Sequence, residues 1–171
     1  TGLVSWWRAE GDGNDAAGNN PAILVHGANF TNGLAGQAFR LDGVDDRIIV
    51  SNAPALNFEA GQDFSIEAWI KAFPDVPSYG AMTIVDKRHA VYDQCLGIGL
   101  NLQEGKLAFQ MADAPFSGEW SYFVSPGPNL HDGLWHHVAV SVERNSTTGG
   151  KLYVDGLEVL VFDATRQPGD L

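Results

Sequence analysis

Apolar and polar residues alternate along most of this chain with the two-residue period of half-buried β-strands. The clearest run spans residues 63–71, and its apolar positions are Phe64, Ile66, Ala68 and Ile70. Shorter runs at Ile48–Val50, Lys106–Met111 and Trp135–Val142 predict further strands. The last of these is apolar on both faces, which favours a central strand. No window of ten or more residues carries a helical apolar stripe.

A β-hairpin near the end of the chain is the strongest local signal. Asp155-Gly156 joins Lys151–Val154 to Leu157–Val159 and supplies the two positive-φ residues of a type I′ turn. Weaker strands are expected at Leu3–Arg8, Ile23–His26, Ala38–Leu41, Met82–Asp86, Leu96–Asn101 and Tyr122–Val124. Many short strands without helices predict an all-β fold, an antiparallel β-sandwich.

Composition narrows the classes of partner. The 171 residues suit one domain, and the 20 glycines and 8 prolines are scattered rather than gathered in a linker, so we predict a single domain over 1–171. The net charge of −11 repels phosphate, which disfavours nucleic acid and anionic membranes but leaves neutral ligands such as sugars unaffected. One cysteine, Cys95, excludes an internal disulfide. No apolar run approaches a membrane span, so membrane insertion is not expected.

The order of six motifs resembles that of a known family. The motifs are Gly2–Gly11, Asn14–Asn20, Gly36–Asp46, Phe64–Ile70, Trp135–Val140 and Leu152–Gly156. Together they resemble the laminin-G-like (LamG) domains of the concanavalin A-like lectin/glucanase superfamily, in the form common in large secreted bacterial proteins. The resemblance implies a concanavalin A-like jelly roll and an extracellular or cell-surface location. It leaves the ligand open, because that superfamily hosts lectins, adhesion modules, enzymes and structural spacers.

The chain departs from that family after its hairpin. The family continues with a glycine-containing strand and a closing strand that carries an Asp-Glu pair, whereas this chain stops at Gln167–Leu171. We therefore expect an excised or C-terminally truncated module that lacks its usual last strands. The alternative is that another chain completes the sheet, since an unpaired edge invites strand addition.

Two acidic loops are candidate cation sites. The Gly11–Asn20 loop offers several side-chain oxygens of the kind that Ca²⁺ prefers, without the spacing of an EF-hand, and ordinary turn chemistry is the alternative. The resemblance implies a structural calcium ion here, with Asp15 and Asn20 at the matching positions. The second loop, Asp42–Asp46, could hold a cation through three carboxylates or could use them to cap a tight turn.

Aromatic residues beside loops are candidates for stacking on sugar rings. They are Tyr79, Tyr92, Trp120 and Tyr122. Asp93, followed by Gln94, looks like the position where pentraxins begin a ligand-binding calcium site. The tryptophans within predicted strands are assigned to the core instead: Trp6, Trp7, Trp69 and Trp135.

Catalytic signatures are missing from the sequence. Sandwich glucanases carry Glu-x-Asp-x-x-Glu along one strand, and this chain has no such cluster and no serine-hydrolase or phosphate-loop motif. His136 and His137 are adjacent, so on a strand they point to opposite faces and cannot chelate one ion. We expect a non-catalytic carbohydrate-binding or adhesion module of a larger secreted or surface protein, with carbohydrate or extracellular protein as its partner. The alternatives are a structural spacer or oligomerisation domain and, more remotely, a polysaccharide-active enzyme.

Overall fold

The computed structural model of the chain describes residues 2–51, 53–74, 81–91, 94–113 and 121–171. The chain divides into two compact units, the first ending at Asn57 and the second running from Phe58 to Leu171. Whether it acts as the single domain predicted over 1–171 stays a prediction. Within the described ranges, no helix combines the length and the apolar character that a bilayer crossing requires.

The first unit contains two antiparallel ribbons. Its strands are β1 (Ala22–Val25), β2 (Asn29–Asn32), β3 (Gln37–Arg40) and β4 (Arg47–Val50), and a 3-10 helix follows at Pro54–Leu56. Strand β1 pairs with β4, and β2 pairs with β3. The strands expected at Ile23–His26, Ala38–Leu41 and Ile48–Val50 are confirmed with small changes at their ends. Strand β2 was not predicted, because three of its four residues are polar and it lacks an apolar alternation.

The strand expected at Leu3–Arg8 is wrong. Within that segment Trp7 makes one isolated bridge, to Asp15. The amide of Trp6 donates to Asp15 Oδ1 at 2.8 Å, so a loop carboxylate accepts the hydrogen bond that a neighbouring strand would have accepted. Tryptophan and valine alone do not make a strand where the chain offers no ladder partner.

Two antiparallel sheets build the second unit. Its strands are β5 (Phe64–Ile70), β6 (Ala81–Asp86), β7 (His89–Val91), β8 (Gln94–Gln103), β9 (Lys106–Ala112), β10 (Ser121–Val124), β11 (His136–Val142), β12 (Gly150–Val154) and β13 (Leu157–Phe162). In the described part of the chain one sheet has the order β10-β9-β8-β6 with β7 also paired to β8, and the other has the order β13-β12-β11-β5. A 3-10 helix at Ala164–Arg166 follows β13.

The core lies between these two sheets. Phe109 of β9 and Phe123 of β10 reach Phe162 of β13, with ring centroids 5.8 and 4.1 Å apart. The cluster of buried apolar residues draws on both sheets: Phe64, Ile98, Leu100, Leu102, Leu107, Phe109, Met111, Val138, Val140, Val142, Leu152, Val154 and Phe162. The predicted β-sandwich is confirmed.

Strand periodicity explains how each sheet divides its residues. Along β5 the apolar face is buried or partly buried while Ser65, Glu67 and Trp69 are exposed, as the alternation predicts. Strand β11 lies between β5 and β12, which confirms its central position. The hairpin is also confirmed, since Asp155 and Gly156 have φ of 50° and 79°. The assignment of all strand tryptophans to the core is wrong for two, because Trp69 is 54% exposed and Trp6 is 52% exposed.

The buried side chain of Arg144 holds the last residues of the chain. Its Nη2 donates to the carbonyl oxygens of Gln167 and Gly169. Beyond them Leu171 pairs with Phe58 through two backbone hydrogen bonds, of 2.9 and 3.4 Å, and is itself nearly buried. The Arg144 hydrogen bonds and the Phe58–Leu171 pair therefore fix residues 167–171 within the second unit.

Substitution of Gly156 tests the hairpin turn. A Cβ at this position would meet nothing within 4 Å, so Gly156→Ala changes only backbone strain. Because the residue has positive φ, we expect this variant to lose about 1 kcal/mol of unfolding free energy, measured by urea denaturation. Gly156→Asn is the matched control and should lose clearly less, since asparagine tolerates this conformation better. Equal losses in the two variants would contradict the explanation.

His136 gives the second unit a defined pH dependence. Its Nδ1 lies 2.8 Å from Asp155 Oδ2 and its Nε2 lies 3.2 Å from Asp132 Oδ1. The Asp155 hydrogen bond raises the pKa of His136, and Asp132 adds to this against the opposing effect of burial. Only the imidazolium donates from both nitrogens, so this stabilisation is complete below the ordinary histidine pKa of 6.5 and is lost as the pH rises through the raised value.

We therefore expect the urea midpoint of the chain to fall between about pH 5.5 and pH 8.5, and the fall to shrink in His136→Gln. At the acid end the pKa of Asp155 is lowered, first by its bond to His136, so its contribution is lost as the pH falls below the ordinary value of 3.8. His89→Gln, which alters an exposed histidine, is the control. An unchanged pH profile in His136→Gln would refute the assignment.

Candidate ligand-binding face

Polar side chains cover the outer side of the five-stranded sheet, and we call this surface the polar face. It is made of Asp86, Arg88, Asn101, Gln103, Gln110 and Tyr122. On β8 and β9 the apolar neighbours of these residues enter the core, so strand alternation turns the polar ones to the opposite side. The same alternation turns Tyr122 outward, because Phe123 stacks on a core ring.

Arg88 organises one half of the polar face. Its guanidinium donates to both carboxylate oxygens of Asp86, with Nη2 2.6 Å from Oδ2 and Nε 2.9 Å from Oδ1. Its Nη1 donates to Gln110 Oε1 at 2.9 Å. Burial raises the pKa of Asp86, but the bonds and charge of Arg88 outweigh it, so the pKa lies below its usual value. Asp86 is therefore an ionised partner of Arg88.

Glycine makes room for this arginine. A Cβ on Gly99 would lie 3.1 Å from Arg88 Nε, so the guanidinium rests directly on the backbone of β8. Gly97 has φ of 103°, and a Cβ there would come within 2.3 Å of the Lys87 carbonyl oxygen. The Leu96–Asn101 strand is thus confirmed. Gly97 is required by its positive φ and by the Lys87 carbonyl, whereas Gly99 leaves room for the Arg88 side chain.

Tyr122 organises the other half of the polar face. Its hydroxyl lies 3.1 Å from both Asn101 Oδ1 and Gln103 Oε1, and it donates its single proton to one of them at a time. Burial raises the pKa of Tyr122, although the charge of Arg88 and the Asn101 bond act in the opposite direction. The hydroxyl stays protonated at neutral pH. The face thus offers amide groups, one phenol and one guanidinium, which are groups suited to hydrogen-bonding polar, uncharged ligands.

Of the predicted ligand-binding residues, Tyr122 is the one that the structure describes. Tyr79, Tyr92, Asp93 and Trp120 lie outside the described residues. The other five residues of the polar face were not predicted: Asp86, Arg88, Asn101, Gln103 and Gln110. A signal was present for Asn101, Gln103 and Gln110, because they lie at the alternate positions of strands whose other face is apolar. Arg88 had no such signal, since it follows β6 in a short connection.

The two residues predicted to bind calcium do lie together in the first unit. Asp15 Oδ1 accepts hydrogen bonds from the amides of Trp6, Ala17 and Gly18 at 2.8–3.0 Å. Asp15 Oδ2 accepts from the amide and the side-chain nitrogen of Asn20 at 3.2 and 3.3 Å. Burial raises the pKa of Asp15, but these amide bonds prevail and hold it far below its usual value.

This arrangement does not fit a calcium ion. Both carboxylate oxygens of Asp15 are already surrounded by N–H donors, and Asn20 turns its amide nitrogen rather than its oxygen toward them. Calcium needs six to eight oxygen ligands, which must be free to face the ion. In this geometry Asp15 instead closes the loop as an Asx-type acceptor. The calcium ion that the resemblance implies at Asp15 and Asn20 would require these hydrogen bonds to rearrange.

The acidic turn at Asp42–Asp46 also bonds largely within itself. Asp42, Asp45 and Asp46 place one carboxylate oxygen each within 4.8 Å of one another. Asp42 Oδ1 accepts from the amides of Val44 and Asp46, and Asp46 Oδ2 accepts from the amide of Asp42. Asp45 Oδ2 lies 3.1 Å from His26 Nδ1. These contacts fit the turn-capping alternative.

A family model matches most of the chain. The Laminin_G_3 model, described as concanavalin A-like lectin/glucanases superfamily, matches residues 42–170. No curated protein matches the chain by sequence.

Several solved structures share the fold. The binding domain of Paraclostridial Mosquitocidal Protein 1 superposes with a TM-score of 0.73 at 19% identity, over 98% of this chain and 41% of that one. The receptor-binding domain of botulinum neurotoxin mosaic serotype C/D gives 0.65 at 20% identity, over 90% and 36%. An S-layer domain-containing protein from Clostridium thermocellum ATCC 27405 gives 0.55 at 25% identity, over 94% and 72%. This chain thus spans well under half of either toxin domain.

Calcium removal tests the description of the Asp15 loop. Because its carboxylate is saturated by amide donors, we expect the same thermal melting curve in EDTA and in excess calcium, measured by circular dichroism. Magnesium in place of calcium is the control for a non-specific effect of divalent ions. A calcium-specific rise in melting temperature that disappears in Asp15→Asn would contradict this expectation and support the predicted site.

Proposed function

The chain belongs to the Laminin_G_3 family of the concanavalin A-like lectin/glucanase superfamily, and from this we propose that it is a non-catalytic extracellular binding module that recognises carbohydrate or mediates adhesion within a larger protein. The polar face carries this proposal. It places amide, phenol and guanidinium groups on one sheet surface, where the opposite surface of the same sheet is committed to the core. Such convergent polar groups are typical of sites that fix the orientation of a small ligand.

The chemistry of the polar face suits the hydroxyl groups of a sugar. Side-chain amides and a phenol both donate and accept hydrogen bonds, as hydroxyls do. Ala108, between these polar residues, is fully buried, so a sugar ring would contact the partly exposed side chains of the face, those of Arg88, Gln103 and Tyr122. The net charge of −11 favours a neutral ligand over an acidic one.

We infer the absence of catalysis from the ionisation state of one carboxylate, that of Asp86. Glycoside hydrolysis requires two carboxyl groups across the scissile bond, one of them protonated when the reaction begins. On the described part of the polar face the carboxylate is Asp86, which Arg88 holds ionised. A group with a lowered pKa and a bidentate cation partner is a poor general acid.

The similar structures agree with a binding role outside the cell. Two of them are the binding domain of a mosquitocidal protein and the receptor-binding domain of a neurotoxin. Since this chain spans 41% and 36% of those domains, the parent protein and its receptor are left open.

A structural spacer is the second candidate, and one observation favours it. The side chains of the polar face bond to one another, and Asn101 and Gln110 are only 3% and 4% exposed. A ligand would therefore have to approach through Tyr122, Gln103 and Arg88, which are partly buried rather than closed off. A spacer would bind no glycan at all.

A glycan array separates the two candidates. We expect the labelled chain to bind neutral glycans in preference to sialylated or sulfated ones. Tyr122→Phe removes one hydroxyl and keeps the ring, so affinity for the bound glycan should fall about threefold to tenfold by isothermal titration. Leu157→Ala, on the other sheet and 72% exposed, is the control and should bind as the natural chain does. Failure to bind any glycan on the array would refute carbohydrate recognition and leave protein adhesion or the spacer.

A further inference from the structure

On the outer side of the four-stranded sheet, small residues lie between larger ones, and we call this surface the outer basin. Three small residues form its floor: Ser65, Ala139 and Ser141. The pairing of β5, β11 and β12 places larger residues around this floor. Ala139 lies opposite Glu67 on β5 and opposite Tyr153 on β12, and His137 lies opposite Trp69 at one end. The basin is on the far side of the sandwich from the polar face, because each sheet turns its other surface to the core.

Trp69 forms the exposed aromatic wall of the outer basin. It is 54% exposed although it lies on a strand whose apolar face is in the core. The His137 ring meets it edge-on, with centroids 5.3 Å apart and planes at 61°. His137 Nε2 lies 3.6 Å from Glu67 Oε2, so the histidine is held between the carboxylate and the indole. The orientation of the indole is thus supported by its neighbours before any ligand arrives.

The dimensions of the outer basin suit a single ring. Neighbouring strands are about 4.8 Å apart, so the side chains of Glu67 and Tyr153, two strands apart, stand roughly 10 Å from each other across Ala139. A pyranose ring is narrow enough to lie between these side chains and to contact Trp69, which is two residues from Glu67 on β5. Glu67, His137 and the two serines supply hydrogen-bonding groups at its edge.

The charge around the outer basin favours neutral sugar rings over acidic ones. The wall nearest the aromatic contact carries Glu67, whose side chain is 74% exposed. The neighbouring Lys151 is engaged with Glu158, at 3.4 Å, and so does not offset it. With a net charge of −11 on the chain, an acidic sugar would be repelled, whereas hydroxyls can donate to the carboxylate.

We propose that the outer basin binds one neutral sugar ring, which stacks on Trp69 and hydrogen-bonds to Glu67 and His137. This site is separate from the polar face, so the proposal goes beyond the proposed function: the module would carry two sugar-binding surfaces on opposite sides. Two such surfaces can engage two chains of one polysaccharide or two neighbouring glycans, which raises avidity without raising the affinity of either site.

The test is an NMR titration of the ¹⁵N-labelled chain with neutral oligosaccharides built on glucose, mannose, galactose, xylose or N-acetylglucosamine. We expect at least one of them to shift the indole N–H of Trp69 and the amide of Ala139. Trp69→Ala removes the stacking surface and Ala139→Leu fills the floor, and each should weaken that interaction at least about tenfold. Leu157→Ala, an exposed residue on the same sheet, should change it less than about twofold.

The outcomes distinguish this site from the polar face. The proposal is overturned if no neutral oligosaccharide moves the Trp69 resonance, or if affinity survives in both Trp69→Ala and Ala139→Leu. Sugar binding that is weakened by Tyr122→Phe but unchanged in Trp69→Ala would overturn the outer basin and leave the polar face standing. Because both basin substitutions lie on the outer surface, a native-like spectrum of each variant shows that a loss of binding is local.

Discussion

The packing of the second unit depends on contact between aromatic rings of its two sheets. Phe162 of β13 stacks on Phe123 and lies against Phe109, so one ring from one sheet is held by two from the other. The opposite residue on β12 is Gly150, and a Cβ there would come within 2.1 Å of the Phe162 ring. Glycine is thus required for the ring to lie flat across the sheet. Once this contact is made, strand alternation decides which side chains of both sheets point outward.

The polar side chains on the outer surfaces of the two sheets differ in their burial and in their hydrogen bonding. On the polar face Asn101 and Gln110 are nearly buried and bond to neighbouring side chains, because a buried amide without a partner costs about 1–3 kcal/mol. Those of the four-stranded sheet stay in solvent and make looser contacts, such as the 3.6 Å approach of His137 to Glu67. The first arrangement holds the side chains in fixed positions, which favours selection of a ligand by its geometry. The second leaves side chains able to exchange water for a ligand at little cost.

Sequence periodicity predicted the strands in which apolar and polar residues alternate strictly. It did not predict elements whose structure is decided by something other than the local pattern. Strand β5 and the Asp155-Gly156 hairpin were predictable because burial of one face and positive φ are local requirements. Strand β2 was not, since its polar residues form a strand only because β3 lies beside them. Trp69 was assigned to the core because of its residue type. In the alternation along β5, however, its side chain lies on the other face from those of Ile66 and Ile70, which is the outer face. For an aromatic residue on a two-layer sheet, position in the period outweighs hydrophobicity.

Candidate sites were harder to predict, because they depend on contacts between distant residues. Tyr122 was identified from its loop-side position, but its partners come from β8, about twenty residues earlier, and no spacing rule connects them. The Asp15 loop illustrates the opposite difficulty. Its composition fits calcium and an amide-closed turn equally, and only the direction in which the N–H groups point distinguishes the two. Here three backbone amides converge on Asp15 Oδ1, which is the arrangement of an amide-closed turn.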